Sequence, residues 1–562
     1  MDLYSLPFRR SVIYRPSIWA AVALVVVGMA VACGPAHAQI GGSGWRPEDR
    51  VLISDFSVVR ALARSSDRLF AATDGGLVIY DELRGRFELP LTLEDGYPEV
   101  PVSAMAYDPR DGSLWIASRD RELLQLDARD GRIRDRQAMA QVVGAIVPGT
   151  GGTDLLLRSQ SGWFRYDAFS RRSLPASASE AAAAIQSSAH LRRRQELLDD
   201  PGFQSVRAFL SQTSGGRRFA ISDVLPTRDP SLFWVATDGA AVVEYDRSSR
   251  RWRTVTFGPV GEGSAGIAQI AGDLWFVPAR PRRGRYAVAR TDPDLQRWSV
   301  WDSDSVRAAP RGANVVLTDQ RSGPALWVGS SEGLYSFLGR ESSWRRVGAD
   351  ALPSERVTAL AHANTPDAEF GLWVGTRRGA VILTSSGEAA GPILLDGEEI
   401  LAVLQFGPRV WFGTRAGLFT LEVSSLSGAP ETRRGPSRVR GNGALRRPVG
   451  ALAALGDSVY AGLDDEVWVW SLGQEWSRVE AIGRVGGPVT AITAAGGAVW
   501  AGSPEGVVRW QPAGGAVRRL SFAAGDLPQG AGFRGVRSIL PVDSEAAWLA
   551  LPAGAYRITM SP

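Results

Sequence analysis

"LWVGSSEGLYSF" at 326–337 returns as "LWVGTRRGAVIL" at 372–383, "VWFGTRAGLFTL" at 410–421 and "VWAGSPEGVVRW" at 499–510. In each copy an aromatic and a glycine hold their places while the residues between them change. With that aromatic as a marker, the phrase falls at Phe70, Trp115, Trp234, Trp275, Trp327, Trp373, Trp411, Tyr460, Trp500 and Trp548, about every 45 residues apart from one long gap. The gap holds a degenerate copy, "TDLLLRSQSGWFRYD" at 153–167, aligned through Leu156. Eleven copies at a steady period are the mark of a repeat architecture.

Each copy has the same inner grammar. In "SVVRALARSSDRLFAATDGGLVIYDELRGRFELPL" (57–91), four short apolar or alternating runs are separated by "SSD", "DGG" and "ELRG". Such runs, bounded by Gly, Asp and Ser, read as strands joined by hairpins. The glycine of the phrase, Gly333 in the opening copy, lies between the second and third runs, where a tight turn calls for positive φ. Four antiparallel strands per repeat predict an all-β chain, a β-propeller of about eleven four-stranded blades. A wide aromatic on each second strand is expected to fill the gap between one blade and the next.

The phase of the repeat predicts how the ring closes. The last copy supplies only three strands, and "DRVLISDF" (49–56) is a lone strand ahead of the first full copy. Pairing the first strand with the last would complete a blade and remove an open edge. Eleven blades exceed an ordinary propeller, so two rings in tandem are expected. Their division is placed near "WDSDSVRAAPRGA" (301–313), giving a first propeller over 39–305 and a second over 306–562, with four plus seven blades as the competing split.

The front end reads as a secretory signal over 1–38: Arg9, Arg10 and Arg15, the apolar run "IWAAVALVVVGMAVACG", then "AHA" ending at Ala38. That run falls short of the ~20 residues of a stable membrane span. No later segment approaches that length, so no transmembrane span is expected. The expected location is periplasmic or secreted. Cys33 after "AVA" loosely resembles a lipobox, and a lipid anchor there is the competing reading.

Composition removes several chemistries. Cys33 is the only cysteine, no lysine occurs, and there are three histidines. A thiolate nucleophile, a Schiff-base lysine and a His-rich metal site are therefore not expected, and neither metal nor cofactor is predicted. A net charge of +4 over 562 residues does not supply the clustered basic surface of a nucleic-acid binder.

Function in a repeat scaffold is sought where the copies depart from one another. The largest departure, 177–218, reads as two helices: one with Ser179 as cap, and one after "DDPGF" with Phe203, Val206, Phe209 and Leu210 on one face. It is either packing on the side of the ring, or a lid or docking arm in which His190, Phe203 and Phe209 are candidate contacts. Two arginine-rich stretches are candidate sites for carboxylate or phosphate groups: Arg280, Arg282, Arg283 and Arg285 in "PARPRRGRY", and Arg438 and Arg440 in "RRGPSRVRGNGALRRP". Solvated loops are the plainer reading of both. His362 is the one weak catalytic candidate, as a histidine without an evident orienting partner.

The stretch "RLFAATDGGLVIYDELRGRF" with "LEDGYPEVPVSAMAYDPRDGSLWIAS" resembles the two-component regulator propeller repeat, whose Tyr-Asp place is filled by Tyr80-Asp81, Tyr166-Asp167 and Tyr245-Asp246. The resemblance implies blade architecture and an exported recognition surface. Unlike the sensors of that family, this chain shows no span and no kinase or output domain, so a stand-alone version is expected. The function expected is a non-enzymatic binding or scaffold protein that presents propeller loops to an envelope protein or glycan. The alternative is an envelope carbohydrate-active hydrolase or lyase, with an acid/His or acid/Tyr site at a channel mouth.

Overall fold

The opening phrase folds as a hairpin in the computed structural model. Ala325–Gly329 pairs with Leu334–Leu338, and the turn between them is held by a hydroxyl. Ser330 Oγ donates to the Gly333 carbonyl at 3.0 Å and accepts from the Glu332 N–H at 2.9 Å. Gly333 takes φ +127°, open to glycine and strained for other residues. The other glycine of the phrase, Gly329, has a different duty. A Cβ there would lie 2.5 Å from a methyl of Val357, at the start of the next sheet. Its absence lets successive sheets approach.

The structure describes residues 50–560 apart from 150–153, 188–195, 212–218, 304–308, 320–324, 339–342, 366–367, 427–434, 441–442 and 524–534. The signal segment and Cys33 lie outside these residues. Among them are eleven antiparallel sheets. In chain order they span 59–87, 102–138, 145–175, 221–255, 262–302, 315–347, 357–383, 400–438, 449–478, 491–521 and 538–559, and are numbered 1 to 11 below. Sheet 7 has three strands, and the others have four. The lone leading strand Val51–Ile53 is the fourth strand of sheet 11, pairing with Gly554–Thr559. The fold is a β-propeller. No helix among the described residues is long and apolar enough to cross a membrane.

Every marker aromatic is buried on a second strand, and most touch the sheet that follows. Trp115 packs among Ile146, Leu155 and Leu157 of sheet 3; Trp373 among Val403 and Phe412 of sheet 8; Trp500 among Ile539 and Leu549 of sheet 11. Two of these contacts close rings. Trp548 of sheet 11 meets Phe276 of sheet 5 at 5.2 Å between ring centres, and Trp234 of sheet 4 packs on Leu62 and Leu69 of sheet 1.

These contacts correct the expected division at 305/306. That boundary falls between sheets 5 and 6, which share a core around Trp275, Val328 and Phe337. First-strand contacts run 5–6–7–8–9–10–11 and return from 11 to 5, and separately join 4 to 1, 1 to 2 and 2 to 3. The arrangement is therefore not tandem. A four-sheet unit, 59–255, is inserted between the closing strand Val51–Ile53 and the first strand of a seven-sheet ring. The expected division counted local copies, whereas grouping depends on contacts between distant ones.

The insertion predicted at 177–218 lies between sheets 3 and 4. Helix α1 (Ala178–Ser187) is capped by Ser177 rather than the expected Ser179. Its hydroxyl accepts from the Glu180 N–H, while the Glu180 carboxylate accepts from the Ser177 N–H, a capping box. Helix α2 (Gln204–Ser211) follows a turn at Pro201–Phe203 held by the Asp200 carboxylate. Phe203, Val206 and Leu197 are fully buried against Val224, Phe233, Val235 and Tyr245 of sheet 4. Glu180 reaches Arg165 of sheet 3 at 3.6 Å. The helices thus stand where a further sheet would stand in a regular ring. The degenerate copy explains why: Leu156 replaces the marker aromatic at the one seam where sheet does not follow sheet.

The unit and the ring share one core. Rings of Tyr80, Phe87, Phe257, Trp298, Phe276 and Trp548 touch in sequence at centroid distances of 4.9–5.5 Å. The two crossing segments are tied by Asp55, whose buried carboxylate accepts from the N–H of Ser57 at 2.8 Å and of Gly261 at 3.2 Å. Burial pushes that carboxyl above the usual aspartate value, against the opposing pull of these donors.

Trp548→Ala removes the ring-closing contact and should cost about 3–5 kcal/mol of stability, read by urea unfolding. An unchanged midpoint would count against closure through this side chain. Gly413→Ala places a methyl 2.5 Å from the Val449 carbonyl oxygen of the next sheet. It should cost about 1–3 kcal/mol, the scale of an overpacked core, in the same assay.

Candidate binding groove

The outermost strands of sheets 8 and 9 are only two residues long, Ser437–Arg438 and Ser477–Arg478. Sheets that face one another along four full strands fill the space between them with side chains. Here the outer part of the seam stays open, as a groove of about 580 Å³ between the two sheets. Trp411 of sheet 8 forms its base with Trp470 and Trp476 of sheet 9, at centroid distances of 5.2 and 5.4 Å. The indole N–H groups of Trp411 and Trp476 are buried and have no acceptor among the described residues.

Polar side chains make the rim. Arg409 lies over the Trp470 ring at 5.5 Å and is ion-paired with Glu422. Ser425, Ser437, Arg440, Gln474 and Glu475 complete the lining. An apolar indole base under a rim of hydroxyl, amide, carboxylate and guanidinium groups suits a ligand with one apolar face and many hydrogen-bonding groups. The opposed charges of Arg409 and Glu422 leave the groove without a strong net field.

The candidate residues read from the sequence fall in different places. Arg440 lines the groove. Arg438 contributes its strand to the wall, but it pairs with Phe419 and its guanidinium lies over that ring at 5.2 Å. Cross-strand partners share a face, so this side chain is turned from the indoles. Arg447, from the same arginine-rich stretch, is spent on structure. It meets the Glu466 carboxylate at 2.9 Å, and Arg478 meets the other oxygen at 3.0 Å.

The "PARPRRGRY" stretch is mostly a clamp between ring and unit. Arg282 reaches Asp74 at 3.3 Å and Asp55 at 3.9 Å, and Asp74 is also held by Arg60 at 2.7 Å. Arg283 donates to the Asp238 carbonyl at 2.7 Å, and Arg285 donates to Asp302 and to the Gly239 carbonyl. Arg280 is exposed, opposite Glu262 in register. Phe203 is core rather than contact surface. His190 lies outside the described residues, as does the side chain of Phe209. His362 sits on Val357–Thr365 of sheet 7, with Nδ1 4.0 Å from the buried Asp319 carboxylate of sheet 6. It is not part of the groove.

Sequence reading missed Trp470 and Trp476. The signal was present in "VWVWSLGQEWSR" (467–478), where tryptophans fall out of phase with the marker at Tyr460. Both are buried with Trp411 in the core of this seam and line the groove as well.

Neither a protein-family model nor a curated protein matches the chain. Among solved structures it is similar to PorZ of Porphyromonas gingivalis, described as an essential bacterial surface component of the type-IX secretion system, with a TM-score of 0.55 at 13% identity, over 91% of this chain and 87% of that one. It is also similar to the extracellular domain of the putative one-component system BT4673 of B. thetaiotaomicron, with a TM-score of 0.40 at 12% identity, over 90% and 69%. At these identities the PorZ likeness supports the fold and nothing finer.

The Arg447 guanidinium, joined by those of Arg478 and the Trp468 N–H, holds the Glu466 carboxyl down to about 2. A lowered folded-state value contributes stability above the usual glutamate range, and that contribution is lost as pH falls through about 2. Glu466→Gln should therefore cost about 1 kcal/mol near neutral pH, the scale of a partly screened pair. The difference from the parent should shrink as pH falls towards about 2 and be gone only below it. A pH-independent difference would contradict the ion-pair origin.

Proposed function

We propose that this chain is an exported, non-enzymatic binding protein of the cell envelope, with the groove between sheets 8 and 9 as its contact site for an envelope protein or glycan. The observation that carries this reading is the groove itself, an indole-floored opening made by two truncated outer strands and rimmed by hydrogen-bonding side chains. The signal-like front end supports export. The rest of the surface at this seam is ordinary blade packing, so the groove is a local departure of the kind that carries sites on repeat scaffolds.

The enzyme alternative would run through Glu422 and Glu475, the carboxylates of the groove. Glu422 is already engaged by Arg409. Binding needs no free acid pair, and the exposed Arg440 and Gln474 can act as donors without one.

Co-sedimentation of the purified chain with isolated cell envelopes tests the reading. Arg440→Glu combined with Gln474→Ala should reduce the bound fraction at least tenfold, with the melting temperature unchanged. Undiminished sedimentation would remove the groove from the function. Release of reducing ends from envelope polysaccharide, abolished by Glu475→Gln, would replace the binding reading with the enzymatic one.

A further inference from the structure

The seam between sheets 3 and 4 differs from every other in the molecule. Among the described residues no buried cluster contains side chains of both sheets, and the helices between them cover sheet 4 far more than sheet 3. The face that sheet 3 turns to this seam follows from register. Leu156 is opposite Val147 and Arg165, Arg158 is opposite Trp163, Arg165 is opposite Leu174, and Asp167 is opposite Arg172. Directly opposed residues share a face. One face therefore carries Arg158, Trp163, Arg165, Arg172 and Leu174, together with the Asp167 carboxylate opposite Arg172, where other sheets carry side chains buried against a neighbour.

Three properties of this surface point the same way. Of nine large apolar side chains exposed among the described residues, three lie at this seam: Leu174, Ile185 and Trp252. Leu174 is 57% exposed. Second, Arg158 and Arg172 are exposed and have no ion pair among the described residues, while Arg165 is only loosely balanced by Glu180 at 3.6 Å. Third, the outer strand Arg172–Pro175 is exposed at all four residues and pairs on one side only. A free strand edge offers backbone donors and acceptors to an added strand, while side chains along it set specificity.

We propose that this seam is a docking surface for an extended acidic segment of a protein partner that carries aromatic or aliphatic side chains among its carboxylates. The segment runs along Arg172–Pro175. Its carboxylates meet Arg158 and Arg172, and its apolar side chains cover Leu174. Guanidinium groups bind carboxylates as two-pronged donors, which gives the charge part of the recognition. A peptide is favoured over a glycan by the strand edge, since a sugar chain cannot extend a β-ladder. This surface is independent of the groove.

The probe is a random glutamate–tyrosine copolymer, titrated against the full chain at low and high salt. Polyglutamate, polygalacturonate and phosphatidylglycerol vesicles serve as comparisons. The copolymer should bind more tightly than each of the other three and weaken with salt. Arg158→Glu with Arg172→Glu should weaken it at least tenfold, as should Leu174→Ser alone. Arg440→Glu in the groove should leave it unchanged. These positions are exposed, and an unaltered melting temperature confirms that the variants fold. Equal binding of polyglutamate would refute the apolar part of the proposal. Preference for polygalacturonate or vesicles, no copolymer binding, or binding untouched by the seam variants would overturn it.

Discussion

A bulky side chain on the second strand of one sheet, laid against the sheet that follows, is the contact on which the architecture rests. A twisted four-stranded sheet has two faces to bury and no partner within itself, so each sheet needs neighbours on both sides. The indole supplies width, and the glycine two residues later, Gly329 or Gly413, keeps the backbones close enough for that width to suffice. Removing either member loosens the same seam for opposite reasons, one by a void and the other by a clash. The seam at Leu156 is the exception, since with the aromatic gone helices take the place of a sheet. Among the described residues that exchange leaves one broad face less covered than its counterparts.

The junction between unit and ring uses different chemistry at its centre and rim. Its centre is a run of touching aromatic rings from Tyr80 to Trp548, continuous with the cores on both sides. Its rim is charged, with Arg60, Asp74, Asp55 and Arg282 linked across the two crossing segments. Asp55 is costly to bury, and its two backbone donors come from both segments. The unit is thus fixed to the ring by packing and oriented by hydrogen bonds.

The phrase made the strands, the marker aromatics and the closing pair legible from sequence, because each depends on residues within one period or on the phase of the repeat. Val51–Ile53 could be assigned to the last sheet because that sheet was one strand short. The grouping of sheets could not be read in this way. Nothing near Trp275 announces that its sheet lies beside one that begins at 538. The arginines of 280–285 pointed to anions, and anions are what they meet, but these are Asp74 and Asp238, far away in the chain. Arg440 was legible as a surface cation. The tryptophans beneath the groove were not, because a side chain that lines a cavity and one that fills a core have the same letter.

The clasp of the ring joins the first strand of the repeat array to the last, Val51–Ile53 to Gly554–Thr559. Val51–Ile53 is made before every other strand of the array, and Gly554–Thr559, which receives it, is made after them. Between these events the four sheets of 59–255 have all their own strands and can settle, while the seven-sheet ring must remain a gapped circle until Gly554–Thr559 has been made. A ribosome that stalls just before residue 538 therefore leaves a finished insert hanging from an open horseshoe whose exposed face at Trp500 has no sheet to meet.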